Sequence, residues 1–263
     1  MKFSLLREMA FVTALLSAPS HGCGIAAFVP STNLQSGYGN GLCQSTTSEV
    51  SEGLQVMESR ILSPETTDLG GNPRKVGLAL QLDDGTRKSH SMAENSAFVT
   101  GFFKGIGTRD AFSSLVTSLY FVYDAMEDEF DRTEDELVRF LDVEELRRRG
   151  PLELDMEYFH GPDWRDNIRV SPATKIYVDR IREISGDNPH LLIAHQYSRY
   201  LGDLFGGQMM GGMATQSLGL DEGKGVAFYE FEGIESTSDF IVDWYRKLNR
   251  LDLSDEEKEA IVD

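Results

Sequence analysis

A glycine-rich segment in the C-terminal half of the chain constrains the fold more than any other feature. Five glycines occur within residues 202–212, in a stretch without proline whose flanks are good helix formers. Five glycines inside a helix would cost roughly 4–5 kcal/mol relative to alanine. Gly202 and Gly206 are four residues apart, as are Gly207 and Gly211, so each pair shares one helical face. The segment predicts a helix, kinked at its glycines, with bare backbone against which a flat ligand could lie.

Two other interpretations of these glycines conflict with the sequence around them. A Gly-x-x-x-Gly contact between membrane helices is disfavoured, because Arg199, Asp203 and Gln208 are polar or charged. A phosphate-binding loop is disfavoured, because the spacing matches no glycine-rich nucleotide motif and no strand precedes it. From the residues alone, a flat-ligand site and its absence both stay open.

After about Val76, apolar residues recur with the spacing that is typical of helices. Between Phe112 and Met126, apolar residues recur every three or four positions, as in a helix with one buried face. Residues 133–136 resemble a capping box, and residues 254–257 predict the start of a last helix. Breaks are predicted at the proline-containing pairs 150–151, 161–162 and 188–189, and residues 226–231 are the best candidate for a strand. We predict an all-α fold with a single domain over residues 76–263.

Charge and cysteine content exclude several classes of function. The formal net charge is -18, which argues against nucleic acid and against anionic membrane surfaces as partners. Only two cysteines are present, Cys23 and Cys43, too few for a disulfide framework or a thiolate metal cage. No apolar stretch reaches the roughly 20 residues of a transmembrane anchor.

The N-terminus is typical of a targeting segment. Basic residues precede a short apolar run over residues 9–16, as in a signal peptide, and a cleavage site between Ala27 and Phe28 fits. Residues 31–48 are rich in Ser, Thr, Gly and Asn and contain no acidic residue, as in a transit peptide. A disordered N-terminus without a targeting role stays open.

This arrangement resembles the bipartite presequence of algae with secondary plastids. It predicts a signal peptide over residues 1–27 and a transit peptide with a flexible linker over residues 28–75. The expected location is the plastid stroma.

His90 has the most informative neighbours of any histidine. Ala93, Glu94 and Ala97 follow it by three, four and seven residues, so one helical face offers an imidazole, small side chains and a carboxylate. Small neighbours permit the close approach of a large planar group, and Glu94 could orient the imidazole directly or through water. A structural or surface histidine stays open. No two histidines have the spacing i, i+4, so a zinc site of histidines alone is disfavoured.

These two segments together resemble the haem oxygenase family. The family's His-x-x-Ala-Glu-Asn motif is present at residues 90–95, and its distal-helix signature at residues 197–208. Residues 119–129 match the family's second helix. Three further matches follow in family order, at residues 161–164, residues 172–173 and Asn249. The resemblance extends from about Val76 to the C-terminus. The residues around His90 are most similar to those of the cyanobacterial and plastid branch of the family.

The resemblance implies a helical bundle with a kinked, glycine-rich distal helix. Haem b, both cofactor and substrate, would lie between this helix and the helix of His90. His90 would be the only protein ligand of the iron, with Glu94 beside it, and the opposite face of the iron would stay open to dioxygen.

The resemblance also assigns roles on the distal side. Asp203 would hold a water network that delivers protons, and backbone at Gly202 and Gly206 would steer oxygen toward one meso edge. Tyr123, Tyr197 and Arg199 would support this network, and Tyr197 and Gly207 would contact haem. For Tyr123, plain core packing stays open, since its spacing also fits the core.

Two departures concern the cations expected at the haem propionates. Where relatives often carry a basic residue, seven positions before the proximal histidine, this chain has Asp83, so Arg87 or Lys88 would substitute. Near the C-terminus the family pattern is displaced by one residue, which leaves open whether Arg246 or Lys247 contacts a propionate.

The activity implied by the resemblance is the opening of haem at a meso carbon to biliverdin, with release of carbon monoxide and ferrous iron. Dioxygen would be the oxidant, and reduced ferredoxin or another reductase would supply electrons. We further expect a monomer whose product passes to a bilin reductase. Two alternatives stay open, a haem-binding or haem-sensing protein without turnover and an enzyme of this helical superfamily with a non-haem substrate.

Docking of ferredoxin raises an electrostatic difficulty. Ferredoxins are typically acidic, as is this chain, so the two molecules as wholes would repel each other. Docking therefore requires a local basic patch, for which the candidates are Arg87, Lys88, Arg246, Lys247 and Arg250.

Overall fold

The residues described in the computed structural model are 59–67, 70–105 and 107–263. The α-helices are α1 Pro64–Thr67, α2 Gly77–Glu94, α3 Ala97–Phe103, α4 Arg109–Arg132, α5 Glu136–Leu141, α6 Arg149–His160, α7 Trp164–Asn167, α8 Pro172–Asp187, α9 Leu192–His195, α10 Gln208–Leu218, α11 Thr237–Leu248 and α12 Asp255–Val262. The 3₁₀ turns are Pro73–Lys75, Glu144–Leu146, Pro189–Leu191 and Ala227–Tyr229, and π-helical runs cover Gln196–Leu201 and Asp203–Gly207. Extended pairing among the described residues is limited to one isolated bridge, so the predicted all-α class is confirmed.

Helix α4 forms the centre of the core. Its apolar residues, among them Phe112, Leu119 and Met126, are fully buried, as the helical period predicted. The helix packs against α6 on one side and α8 on another, so most of its circumference faces protein. Among the described residues, no helix combines the length and apolar character of a membrane span.

The predicted helix starts have mixed outcomes. The start of the last helix is confirmed, and the structure adds a capping box there, since Ser254 and Glu257 each bond the other's backbone N–H. The box expected at residues 133–136 is wrong, because the N-cap of α5 is Asp135, whose carboxylate accepts from the N–H groups of Leu137 and Val138. Asp135 is the better cap, since one carboxylate oxygen satisfies two free helix donors.

The strand candidate at residues 226–231 is also wrong. Its centre is the 3₁₀ turn Ala227–Tyr229, held by a carboxylate of α6. The two oxygens of Asp155 accept from the N–H groups of Ala227 and Phe228, each at 2.8 Å. Burial raises the pKa of Asp155 to about 6, although these two hydrogen bonds lower it. A buried side chain distant in sequence thus takes the donors that a strand would have used.

The N-terminal boundary of the folded body lies earlier than expected. The bridge between Ile61 and Leu251 is flanked by backbone hydrogen bonds from Leu62 to Arg250 and from Asp252 to Arg60, both 2.8 Å long. Residues 59–62 therefore pair with the C-terminal part of the chain and are not a flexible linker. The expected signal peptide and the part of the expected transit peptide up to residue 58 lie outside the described residues.

Candidate functional site

A cavity of about 250 Å³ lies between α2 and the first π-helical run with Gly202. We call residues 196–207 the distal segment. The residues that line the cavity are Arg74, Asp83, Thr86, Arg87, His90, Ser91, Glu94, Tyr197, Ser198, Leu201, Gly202 and Tyr245. Asp83 and Glu94 are eleven residues apart on α2, so the cavity follows this helix for about 16 Å. Its shape is that of a slot between two helical walls.

The structure places His90 in the wall formed by α2. Its side chain is 16% exposed, and its Nε2 atom is buried. Its Nδ1 atom lies 3.7 Å from Oε1 of Glu94, one helical turn further on. This distance suits an ion pair or a bridging water better than a direct hydrogen bond. Two expected site residues therefore lie together on the face predicted from their spacing.

The opposite wall is the distal segment, where the helix departs from regular α geometry. The two π-helical runs are separated by Gly202 alone, and Gly202 lines the cavity. Such π-helical turns are rare and cluster at functional sites. Tyr197 also lines the cavity, whereas Gly206 is buried and does not. The sequence predicted an irregular helix here but not its π-helical form.

The second glycine pair serves the packing of Tyr229. A Cβ atom on Gly207 would lie 2.7 Å from Cδ1 of Tyr229, and one on Gly211 would lie 3.0 Å from its Cβ. Gly207 was expected to contact the ligand, and the structure gives a different reason for its lack of a side chain. Only the first glycine pair, through Gly202, leaves backbone bare toward the cavity.

Asp203 is buried directly behind the cavity wall. Its side chain accepts a hydrogen bond from the hydroxyl of Tyr123, which is fully buried on α4. Burial raises the pKa of Asp203 to about 6, against the lowering effects of the Tyr123 hydrogen bond and of the Arg199 and Arg148 guanidinium groups. Tyr123 has a pKa well above its usual value, also because of burial. The pair can thus hold a proton near neutral pH next to Gly202.

Arg199 anchors the start of the distal segment through two residues not selected from the sequence. Its Nε donates to the hydroxyl of Tyr177 at 3.4 Å, and this hydroxyl lies 2.6 Å from Nδ1 of His195. Burial, with a smaller effect of the Arg199 and Arg180 charges, lowers the pKa of His195 to about 4, so its ring is neutral at physiological pH. A neutral Nδ1 can accept the Tyr177 proton, which gives a chain of donors that starts at Arg199. Tyr177 comes from α8, so only the three-dimensional structure could reveal it.

The expected propionate cations are placed differently from one another. Arg87 lines the cavity and pairs with Asp84, while Asp83 lies 3.6 Å away. Arg246 does not line the cavity and pairs with Asp243 at 2.6 Å on the exposed side of α11. Its neighbour Tyr245 lines the cavity instead. The arginine expected at a propionate therefore does not line the slot.

Arg74 is a lining residue that the sequence did not single out. It lies on the 3₁₀ turn before α2, and its Nη2 is 2.7 Å from Oδ1 of Asp83. The sequence did contain one indication of such a residue. An acid at position 83, where relatives often have a base, favours a compensating cation nearby. The position of Arg74, nine residues upstream, could be known only from the turn geometry.

Comparison with known proteins settles the family. Residues 76–263 match the family model described as "Heme oxygenase". The chain belongs to the haem oxygenase family. A haem oxygenase of Rhodella violacea is 45% identical over 188 residues, which cover 71% of this chain and 80% of the relative. Heme oxygenase 1 of a Nostoc species is 42% identical over 187 residues, 71% of this chain and 79% of the relative.

Solved structures of haem oxygenases share the fold. Heme oxygenase-1 of Synechocystis, solved in complex with heme, has a TM-score of 0.67 at 43% identity and covers 71% of this chain and 85% of its own. Heme oxygenase from Leptospira interrogans also has a TM-score of 0.67, at 40% identity, with 71% and 92% covered. The helical-bundle expectation is therefore confirmed.

Proposed function

We propose that this protein opens haem b oxidatively at a meso carbon to biliverdin and releases carbon monoxide and ferrous iron. The observation that carries the proposal is that His90 and Gly202, from two different helical walls, line the same slot. A ligating imidazole and a wall without a side chain are what a haem needs when one face of its iron must stay open. The haem-bound relative from Synechocystis supports the choice of ligand.

The donor set of the slot fits haem, although its volume is small. The buried Nε2 of His90 is a suitable iron ligand, and Arg74 and Arg87 provide cations for carboxylates at the cavity wall. The volume of about 250 Å³ lies below the roughly 300–1,000 Å³ of typical ligand pockets. We therefore propose that α2 and the distal segment move apart when haem enters.

Bound haem would supply the redox-active iron and the porphyrin ring that is oxidised. The chain's own residues would position the ring and handle protons. His90 holds the ring from the α2 side, and Gly202 leaves room on the other side. Asp203, with a pKa of about 6 and a hydrogen bond from Tyr123, would hold a proton behind Gly202 and pass it through water toward the slot. Arg199, through Tyr177, would keep the distal segment in place.

The co-substrates, the location and the partners of the protein are proposed as well. Dioxygen would be the oxidant and reduced ferredoxin the electron donor, as suits a member similar to algal and cyanobacterial relatives. A signal peptide over residues 1–27 and a transit peptide that starts at Phe28, within the predicted range of residues 28–75, would direct the protein to the plastid stroma. There it would work as a monomer and release biliverdin to a bilin reductase.

The product formed from haem tests the proposal. The purified protein would be mixed with haem, reduced ferredoxin and air, and the absorption spectrum followed with time. We expect the Soret band to decay and the broad red absorption of biliverdin to appear. A persistent Soret band would favour the haem-sensing alternative, and failure to bind haem would favour a non-haem substrate. All the residues assigned above to iron, oxygen and protons are present, which favours turnover.

A further inference from the structure

Tyr229 carries a buried hydroxyl beside the distal segment. The residue is 4% exposed, and among the described residues its hydroxyl has no hydrogen-bond partner. Buried hydroxyls are nearly always paired with protein groups or ordered water, because an unpaired one loses its hydration without compensation. Resting on the proposed function, we infer that Tyr229 is a positioning residue for Asp203: its hydroxyl donates to one buried water, which donates in turn to the Asp203 carboxylate.

The backbone and the ring of Tyr229 are both held in place. The residue ends the 3₁₀ turn Ala227–Tyr229, which Asp155 holds through two backbone N–H groups. Its ring packs edge-to-face on Phe228, with the centroids 4.8 Å apart, and its centroid lies 6.4 Å from that of Phe112. A ring fixed in this way gives its hydroxyl a defined position.

The second glycine pair shows in which direction this hydroxyl points. A Cβ on Gly211 would lie 3.0 Å from Cβ of Tyr229, whereas one on Gly207 would lie 2.7 Å from Cδ1 and 3.3 Å from Cε1. The side chain therefore extends along the helix from Gly211 past Gly207, toward the preceding turn. Asp203 lies on the same face of that turn, since its Cβ is 3.8 Å from the position of a Cβ on Gly207. The hydroxyl, at the far end of the ring, is thus on the Asp203 side.

The charges near the hydroxyl favour Asp203 as the acceptor. Burial raises the pKa of Tyr229 well above its usual value, and the charges of Asp203 and Asp155 raise it further, with the larger effect from Asp203. The two oxygens of Asp155 already accept from backbone N–H groups. A carboxylate has about four acceptor positions, so Asp203 can accept from a water as well as from Tyr123. A bridging water is nearly as good a link as a direct hydrogen bond.

A second donor to Asp203 has a consequence for its proton. Hydrogen bonds to the charged form of an acid favour that form. Tyr123 from α4 acts in this direction, as do the guanidinium groups of Arg199 on the distal segment and Arg148 before α6, all against the effect of burial. Tyr229 adds to them from the turn Ala227–Tyr229 and helps Asp203 to release its proton. If Tyr229 only filled the space beside the glycines, its hydroxyl would have no effect on Asp203.

The experiment uses Tyr229→Phe, which keeps the ring and removes only the hydroxyl. In the haem-free protein, carbon-13 NMR follows the titration of the Asp203 carboxyl group. We expect the pKa of Asp203 to rise from about 6 to about 7, because a donor to its charged form is lost. With haem, reductant and air, the pH above which turnover decreases should rise by about one as well. Tyr120→Phe is the matched control, since Tyr120 is a buried tyrosine of α4 that packs on Trp164, and it should change neither quantity.

A double variant separates an effect through Asp203 from an effect on folding. In the Asp203→Asn background, Tyr229→Phe should not change the residual turnover or its pH profile, because the group on which the hydroxyl acts is gone. Independent effects on turnover would instead multiply.

The inference is overturned by an unchanged Asp203 pKa in Tyr229→Phe, or by effects that multiply in the double variant. Should Tyr229→Phe fail to fold, proton NMR of the unmodified haem-free protein tests the link directly. The Tyr229 hydroxyl proton should then show a nuclear Overhauser effect to a bound water, and its absence would contradict the link. If the pKa of Asp203 shifts as expected but the unmodified protein forms no biliverdin, the proposed function fails and the link stands. Normal biliverdin formation with an unchanged pKa refutes this inference alone.

Discussion

His90 and Asp203 divide the proposed work between the two walls of the slot. As the proposed iron ligand, His90 would be exchangeable, because an imidazole supplied from solution has the same donor atom. Asp203 is fixed by burial and by Tyr123, and its pKa of about 6 depends on that environment. Loss of the first should therefore be reversible by added imidazole, and loss of the second should not.

Replacing the proximal histidine tests its role as ligand. In His90→Ala, we expect haem to bind with an altered Soret maximum and biliverdin formation to fall below detection, with both restored by millimolar imidazole. Absorption spectra with and without imidazole measure this. His190→Ala is the control, because His190 lies outside the slot, in the turn Pro189–Leu191. Biliverdin formation at the normal rate without imidazole would exclude His90 as the ligand.

Asp203→Asn tests the proton-holding role. The amide can still accept from Tyr123 but cannot release a proton, so haem affinity should stay within about twofold while turnover falls about 10²-fold or more. In the unmodified protein the protonated fraction of Asp203 decreases as pH rises through its pKa of about 6. Turnover should therefore decrease above about pH 6. The residual activity of the variant should lack this decrease, which is called here the alkaline limb of the pH profile. An unchanged pH profile in the variant would assign the limb to another group.

The residues of this site differ in how far sequence could predict them. His90, Glu94 and Gly202 carry local patterns, a helical spacing or a glycine pair, and the structure brings all three to one slot. Tyr177 and Arg74 carry no local pattern, because each reaches the site through a different element. Pattern analysis fails where a contact depends on how helices are arranged.

The distal segment shows how one glycine motif can serve two purposes. Gly202 opens the backbone to the slot, whereas Gly207 and Gly211 accommodate the ring of Tyr229 on another face. Helical spacing predicted the pairs correctly but could not tell which face meets a ligand. The π-helical runs were likewise not predictable, since the residues of α4, α8 and the turn Ala227–Tyr229 that contact this segment are distant from it in sequence.

A pair of alanine substitutions tests this division. Gly207→Ala should lower the free energy of unfolding by about 1–3 kcal/mol, because the new Cβ would lie 2.7 Å from the Tyr229 ring. Gly212→Ala, on an exposed face of α10 with nothing within 4 Å, should raise it by about 0.5–1 kcal/mol through helix propensity. Denaturant unfolding of both variants measures the difference. Equal effects would mean that Tyr229 can move aside freely.

The folded body as a whole includes residues that precede the family match. Residues 59–62 bridge to residues 250–252, and Arg60 forms an ion pair with Glu257 at 2.8 Å. The helices after Val76 were predictable from their apolar period, but a short segment joined by backbone hydrogen bonds carries no such period. The pairing of residues 59–62 with residues 250–252 could be seen only in the folded structure.

Truncation tests the contribution of this segment. A chain that begins at Val76 should have a lower free energy of unfolding than one that begins at Ser59, by about 2 kcal/mol for the lost hydrogen bonds and ion pair. It would also lose Arg74 and should bind haem more weakly. Arg60→Ala in the longer chain separates these effects, because it removes the ion pair and keeps Arg74. Equal stability of the two chains would mean that residues 59–75 contribute nothing.

Net charge governs how an acidic electron donor could approach. With a net charge of -18, the molecule repels acidic proteins at long range, and only a local excess of cations can guide docking. Of the five patch candidates, Arg87 and Arg246 are already paired with acids on their own helices. Lys247 and Arg250 both lie over the ring of Phe140, which keeps two cations side by side. Docking would thus rely mainly on Lys88, Lys247 and Arg250.

Salt should weaken this docking, because at 0.1 M ionic strength charges are screened beyond about 10 Å. At low ferredoxin concentration, we expect the turnover rate to fall about threefold as salt rises from roughly 0.05 to 0.3 M, while turnover with a small-molecule reductant changes little. Lys247→Gln should reduce both the rate and its salt dependence. Lys175→Gln, on α8 and outside the patch, should change neither. A rate that rises with salt would mean that long-range repulsion outweighs the patch, and electrons would then have to enter by another surface or from a less acidic donor.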